Sequence, residues 1–175
     1  MFRIIVLFAM LSVVMPGNAF ATDTALEFVQ QLEGKFRGKG EAVIPISQKV
    51  ERVGCSVLNT FQVDTQTLVI HGKCATTQGK SNVKGSLQVT DDGVAGSFLS
   101  PFADSTITQS SSVFQEGRLI VSTSIVNNST GNLSRLRQII SKNEEGGFTA
   151  VFQKFENASD TYHDSGTVVF MRLND

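Results

Sequence analysis

The feature that most constrains the fold is an alternation of apolar and polar residues in two runs between residues 53 and 75. Such period-two alternation is typical of half-buried β-strands. If the two runs pair as a hairpin centred between Asp64 and Thr65, one register places Cys55 opposite Cys74 and most apolar side chains on one face. Directly opposed residues lie at a Cα separation that a disulfide can span. The same register predicts three further pairs: Phe61 with Leu68, Asn59 with Ile70, and Val57 with Gly72. We therefore expect a β-hairpin closed by a Cys55–Cys74 disulfide.

Residues 1–21 have the pattern of a cleavable signal peptide. Arg3 supplies a positive start, an apolar run covers residues 4–15, and Ala19-Phe20-Ala21 fits a signal cleavage site. Because disulfides persist in oxidising compartments, the signal and the cysteine pair together predict a periplasmic or secreted protein. No later apolar run approaches the roughly 18 residues of a membrane helix, so we expect no membrane span. Residues 22–175 are long enough for a single domain, and no linker divides them.

The charge balance narrows the range of partners. The formal net charge of the chain is −1, and no stretch is rich in lysine and arginine. Proteins that bind nucleic acid carry a basic patch that neutralises phosphates. We therefore expect no nucleic-acid partner.

A short helix precedes the strands. Thr24 and Glu27 have the spacing of a capping box, and apolar residues follow at helical intervals. This pattern predicts a helix that begins at Thr24 and is stopped by Gly34.

Turn signals divide the rest of the chain into further strands. Asp92-Gly93 and Glu116-Gly117 are typical two-residue hairpin turns. The first predicts that Val89 pairs with Gly96 and that Leu87 pairs with Phe98.

Two longer loops complete the pattern. The loop over residues 129–132 joins residues 118–128 to residues 133–143. It predicts that Val121 pairs with Ile140 and Ile125 with Leu136, and that Ser122, Ser124, Arg135 and Arg137 line the other face. The turn at residues 144–147 leaves two registers open. A four-residue loop would bury Val151 and Phe155, and a three-residue loop would bury Phe148 and Phe152.

These segments predict nine or ten consecutive antiparallel strands, of which the last covers residues 167–173. A meander of this length usually closes, because closure removes exposed strand edges. The polar residues 105–112 suit a strand at an edge or a barrel mouth. We therefore expect an all-β fold, an up-and-down antiparallel β-barrel with a short N-terminal helix.

The segment Gly34-Lys-Phe36-Arg-Gly38-Lys-Gly40 resembles the G-x-W-x-G-x-G opening of calycin-like barrels, which include nitrobindin-like and lipocalin-like proteins. The resemblance implies that Phe36, in place of tryptophan, plugs one barrel end while the glycines allow a strongly coiled first strand. The later stretches 51–55 and 72–75 make the chain similar to a group of small secreted alphaproteobacterial proteins. That resemblance concerns fold and compartment and implies no activity.

Candidate chemistry is sparse. We expect His71 on the outward face of its strand. Tyr162 and His163 could offer metal or haem ligands, and nitrobindin-like barrels bind haem through a C-terminal histidine, but residues 160–166 are typical of a polar turn. We therefore expect neither a cofactor nor a metal, and no enzymatic activity.

Asn59 and Gln138 fall on the predicted inner faces, where a buried amide must find hydrogen-bond partners. They are the candidate ligand-binding residues, although an internal water or a facing strand would satisfy them equally well.

Two functions remain open. One is a non-enzymatic envelope protein that acts through its surface on a protein partner. The other is a lipocalin-like carrier of a small apolar ligand, for which haem is the less favoured cargo. A core filled by phenylalanine favours the first, and an internal cavity favours the second.

Overall fold

The computed structural model describes residues 19–43, 49–100 and 105–174. These residues form one helix and ten strands: α1 (Ala19–Gln31), β1 (Gly34–Val43), β2 (Val50–Gln62), β3 (Thr67–Thr76), β4 (Gly79–Thr90), β5 (Gly93–Ser100), β6 (Ser105–Gln115), β7 (Arg118–Asn127), β8 (Leu133–Lys142), β9 (Phe148–Glu156) and β10 (Thr161–Arg172). The expected all-β fold with a short helix is confirmed.

The ten strands form a single antiparallel sheet in the order β5-β4-β3-β2-β1-β10-β9-β8-β7-β6. The pairing of β1 with β10 joins the first strand to the last. β5 and β6 face each other without a backbone ladder between their described residues, and the Ser110 hydroxyl donates a hydrogen bond to the carbonyl of Gly96 across this gap. The result is a nearly closed up-and-down barrel in which residues 105–112 lie in an edge strand.

The β2–β3 hairpin has the predicted register. Cys55 pairs with Cys74, and Asn59 pairs with Ile70. The two cysteines form a disulfide. Because inward residues alternate with outward ones, this register buries Val57, Leu68 and Ile70 in the core.

The register predicted for β4 and β5 is wrong by two residues. Leu87 pairs with Gly96, and Val89 pairs with Val94. The turn consists of Asp91 and Asp92, while Gly93 takes a φ of 126° and already belongs to the strand. A shift of two residues leaves Leu87, Val89 and Phe98 on the predicted buried face.

The register predicted for β7 and β8 is also wrong by two residues, because Val121 pairs with Gln138. The loop begins one residue earlier than expected. Its geometry is set by Asn127, whose side-chain Oδ1 accepts hydrogen bonds from the backbone N–H groups of Ser129 and Thr130. The Asn127 carbonyl accepts a further bond from Gly131 N–H.

The open register between β8 and β9 is settled as the three-residue loop. Asn143 N–H donates to the carbonyl of Gly147 at 3.1 Å and closes this loop. Phe148 and Ala150 are consequently buried, while Phe155 lies on the outward face.

The helix differs from its prediction at its start. It begins at Ala19, five residues upstream of Thr24. Residues 1–18 of the expected signal peptide lie outside the described residues. At the other end the helix stops at Gln31, and Gly34, with a φ of 127°, is the first residue of β1.

The prediction of a turn over residues 160–166 is wrong. The turn covers residues 157–160, and Asp160 takes a positive φ of 53° there. β10 starts at Thr161, earlier than predicted, and an irregularity between Asp164 and Gly166 keeps it paired with β9.

One end of the barrel, the helix end, is closed by α1. The Phe28 ring packs against Phe114 at the end of β6, and Asn59 at the end of β2 binds the carbonyl of Leu32. The opposite end, where β1 finishes and β10 begins, is the open end.

Four phenylalanines fill the barrel beneath the helix. The Phe148 ring centroid lies 5.0 Å from that of Phe36, 5.6 Å from that of Phe98 and 4.5 Å from that of Phe170. Gly38 makes room for this cluster, since a Cβ there would lie 2.6 Å from the Phe170 ring. Gly38 of the opening motif therefore allows β1 to lie against the aromatic core.

Candidate functional site

The two candidate ligand-binding amides both hydrogen-bond to the main chain. Asn59 is 1% exposed, and its Nδ2 donates to the carbonyl of Leu32 at 2.8 Å. Gln138 is 8% exposed, and its Nε2 donates to the carbonyl of Leu99 at 3.0 Å. Asn59 thus ties the sheet to the end of the helix, and Gln138 ties β8 to β5 near the gap. A role for either in ligand binding stays a prediction.

Phe36 lies at the helix end and is 1% exposed. Its ring packs edge-on against Phe148, and the Arg172 guanidinium lies 4.7 Å above it. Arg172 also donates to the carbonyls of Gln31 and Glu33 at the end of α1. The predicted plug residue therefore sits between the barrel core and the anchor of the helix.

The two histidines lie on different strands. His71 is exposed on the outer face of β3, as expected. His163 is exposed near the open end, with its Nε2 2.9 Å from the Thr161 hydroxyl and 3.2 Å from Glu156 Oε2. Within the described ranges, no three histidine, cysteine or acidic side chains come together as metal ligands.

An array of two arginines and two aromatic rings covers the outer face of β8, β9 and β10. The Arg135 guanidinium lies 3.4 Å from the centroid of the Phe155 ring, and the Arg137 guanidinium lies 3.8 Å from that of Tyr162. The two rings meet edge-to-face with centroids 5.1 Å apart. We call these four residues the arginine face.

Strand register explains why the arginine face points outward. Gln138 and Ile140 are buried, so the intervening odd-numbered residues of β8 project to the outside. Phe148 and Ala150 fix the same parity in β9 and place Phe155 outside. Tyr162 pairs with Phe155 and shares its face.

Uncharged polar side chains border the arginine face. Ser122 pairs with Arg137, and Ser124 pairs with Arg135 on the neighbouring strand. Arg135 Nη2 donates to Asn157 Oδ1 at 3.2 Å. These groups provide both hydrogen-bond donors and acceptors beside the two guanidinium groups.

The arginines lack carboxylate partners. Among the described residues, neither Arg135 nor Arg137 has a carboxylate oxygen within ion-pair distance. Arg137 Nε and Gln153 Oε1, which lie on directly paired residues, are buried without a hydrogen-bond partner. Gln153 Nε2 donates to Asp164 Oδ1 at 2.9 Å, so this carboxylate is engaged elsewhere. Unmet hydrogen bonds of this kind are costly in free energy.

A hollow of about 940 Å³ lies at the open end and adjoins the arginine face. Arg135, Phe155 and Asn157 line its outer side, and Lys154 and His163 line the side nearer the barrel mouth. The hollow is therefore bordered by charged, polar and aromatic groups together.

At the rim of the open end, the carboxylate of Glu51 accepts hydrogen bonds from two side chains. The Thr77 hydroxyl donates to Glu51, and Gln78 Nε2 donates to the same carboxylate at 2.9 Å. These hydrogen bonds, chiefly that from Thr77, lower the pKa of Glu51.

Comparisons with known proteins bear on the fold. Neither the protein-family models nor the curated proteins contain a match to the sequence. Twelve solved chains are similar in structure, among them the crystal structure of Rv2717c from M. tuberculosis. That chain superposes with a TM-score of 0.56 at 17% identity, over 86% of this chain and 98% of its own. The likeness shows a shared barrel fold.

Among the described residues, no helix is both long enough and apolar enough to cross a membrane.

Proposed function

We propose that the protein is a non-enzymatic binding protein of the cell envelope that acts through its outer surface. The observation that carries this proposal is the arginine face, where two guanidinium groups are held against aromatic rings and have no carboxylate partner among the described residues. Arg135 Nη2 is engaged by Asn157 and Arg137 Nε is buried, but without an internal salt bridge the other N–H groups of the two arginines can donate to another molecule.

The interior supports the same proposal. Phe36, Phe98, Phe148 and Phe170 fill the helix end. The amide nitrogens of Asn59 and Gln138 donate to main-chain carbonyls, and Asn59 Oδ1 is buried without a partner. A ligand can therefore reach more polar groups on the outer face of the barrel than in its interior at the helix end.

Two further points belong to the proposal. The disulfide supports export to an oxidising compartment, periplasmic or extracellular, as the expected signal peptide would direct. The barrel, together with the Gly34–Gly40 opening, supports placement among calycin-like proteins.

A second candidate function is a carrier of a small ligand. The hollow at the open end favours it, because its volume of about 940 Å³ is within the range of small-molecule sites. In that case the ligand would contact Lys154 and His163 at the mouth of the barrel.

A co-sedimentation experiment tests this proposal. It measures how much of the purified wild-type protein, and of two double variants, sediments with envelope material from the source cells. A double variant, Arg135→Ser with Arg137→Ser, removes the arginine face. A double variant of two outward arginines elsewhere, Arg52→Ser with Arg118→Ser, removes the same charge. We expect the wild-type protein and the control to sediment with the envelope, and the first variant to sediment at least fivefold less.

Equal sedimentation of both variants, or none for the wild type, would contradict the surface role. Native mass spectrometry of the protein from its own host supplies the second measurement. A retained small molecule that is unaffected by loss of both arginines would support the carrier instead.

A further inference from the structure

We infer that the arginine face binds acidic oligosaccharides of the uronic-acid class, an inference that rests on the proposed surface function. The ligand would place carboxylates on Arg135 and Arg137 and sugar hydroxyls on the polar side chains around them. The assignment follows from the geometry of the guanidinium groups, the neighbouring polar groups and the charge of the surface.

The stacking of the two guanidinium groups on aromatic rings favours a planar oxyanion such as a carboxylate as the ligand. Each guanidinium lies within 4 Å of a ring centroid, at 3.4 Å for Arg135 and 3.8 Å for Arg137. One face of each group is covered by the ring, while its N–H groups point along the edges. Edge-on donors in a fixed fork match the two oxygens of a carboxylate, and their orientation is held before the ligand arrives.

The spacing of the arginines selects a ligand with more than one unit. Arg135 and Arg137 lie two residues apart on the same face of β8, so their Cα atoms are separated by about 6.6 Å. The rings beneath them have centroids 5.1 Å apart. A molecule with acidic groups on neighbouring units can therefore engage both arginines, whereas a single small anion engages one.

Two buried atoms on paired residues of β8 and β9 have no hydrogen-bond partner, and they need opposite kinds of partner. Arg137 Nε is a donor without an acceptor, and Gln153 Oε1 is an acceptor without a donor. A sugar acid carries carboxylate acceptors and hydroxyl donors in one molecule, the two kinds of group that these atoms lack. A phosphate group supplies acceptors chiefly, and leaves Gln153 Oε1 unpaired.

Nearby carboxylates argue against dense polyanions. Asp164 lies beside Gln153 on the same outer face, and Glu156 lies at the hollow that adjoins Arg135. Over the whole chain the formal net charge is −1. A polymer with closely spaced phosphates would be repelled by these groups, whereas sugars with one charge per unit allow hydroxyls to face them.

Calorimetric titration of the purified protein with trigalacturonate tests the inference. The fully methyl-esterified trimer serves as the matched ligand, because it keeps the hydroxyls and removes the charges. We expect saturable binding of the acid, and binding at least tenfold weaker for the ester. Inorganic phosphate and vesicles of anionic phospholipid are the other two probes, and neither should compete with the acid.

Variants locate the site. Arg137→Gln is expected to weaken trigalacturonate binding at least tenfold, and Arg137→Lys at least fivefold, because lysine keeps the charge but lacks the planar fork. Arg118→Gln, an exposed arginine paired with Glu116, should leave the affinity unchanged. Circular dichroism confirms that each variant is folded.

Several results would overturn the inference: no binding of the acid, equal binding of acid and ester, full affinity in Arg137→Lys, or displacement of the acid by phosphate or vesicles. If sedimentation with the envelope still depends on both arginines in those cases, the surface function stands and only the ligand class is wrong.

Discussion

Truncation of Phe36 to alanine measures how much the helix end depends on one ring. The ring is 1% exposed, packs on Phe148 at 5.0 Å and lies under the Arg172 guanidinium at 4.7 Å. Loss of a buried phenylalanine costs about 3–5 kcal/mol. Because Arg172 also binds the carbonyls of Gln31 and Glu33, loss of the ring loosens the anchor of α1 as well. We therefore expect a loss in the upper part of that range, about 4–5 kcal/mol.

Urea unfolding followed by far-UV circular dichroism gives the free energy of unfolding of each variant. Phe155→Ala is the matched control, because the half-exposed ring contacts Tyr162 and Arg135 on the outer face and its loss should cost about 1–2 kcal/mol. Phe36→Leu keeps most of the volume and should cost about 1.5 kcal/mol, so it remains measurable if the alanine variant does not fold. A loss below about 1 kcal/mol for Phe36→Ala, or one equal to that of Phe155→Ala, would refute the role of Phe36 as a plug.

Two further predictions concern covalent and cofactor chemistry. Titration of thiols in unfolded, unreduced protein should find none, and two titratable thiols would contradict the disulfide. Replacing Cys55 and Cys74 by serine should lower the free energy of unfolding by about 3 kcal/mol, the chain-entropy estimate for a loop of this length. Titration with haemin should give no sharp Soret shift and no 1:1 end point, because His163 is exposed and lies 3.2 Å from the Glu156 carboxylate rather than in an apolar pocket. A stoichiometric complex that is lost in His163→Ala would show the opposite.

The strand faces could be predicted from the sequence more reliably than the strand registers. The β2–β3 register followed from alternation and from the requirement that Cys55 face Cys74. The β7–β8 register depended on side-chain bonds of Asn127 within its own loop, which alternation does not reveal. Because the error was two residues, Arg135 and Arg137 still fell on the outer face.

The candidate site was less accessible to sequence reasoning. The outward position of Phe155 depended on the length of the loop before β9, for which two registers were equally consistent with the pattern. Tyr162 lay in a segment rich in polar residues that is typical of a turn, although β10 includes it. Only the tertiary pairing of β9 with β10 brings these rings beneath the two arginines.

The pairing of β1 with β10 has a consequence for the order in which the chain folds. Eight of the nine ladders join consecutive strands, so β1–β5 and β6–β10 can each assemble from local hairpins. The remaining ladder joins strands more than 100 residues apart and must overcome the entropy of closing that long loop. Distant contacts of this kind form slowly. During synthesis the first five strands must therefore keep the edge of β1 unpaired until the last strand is complete, and loss of either terminal strand leaves two half-barrels with no shared ladder.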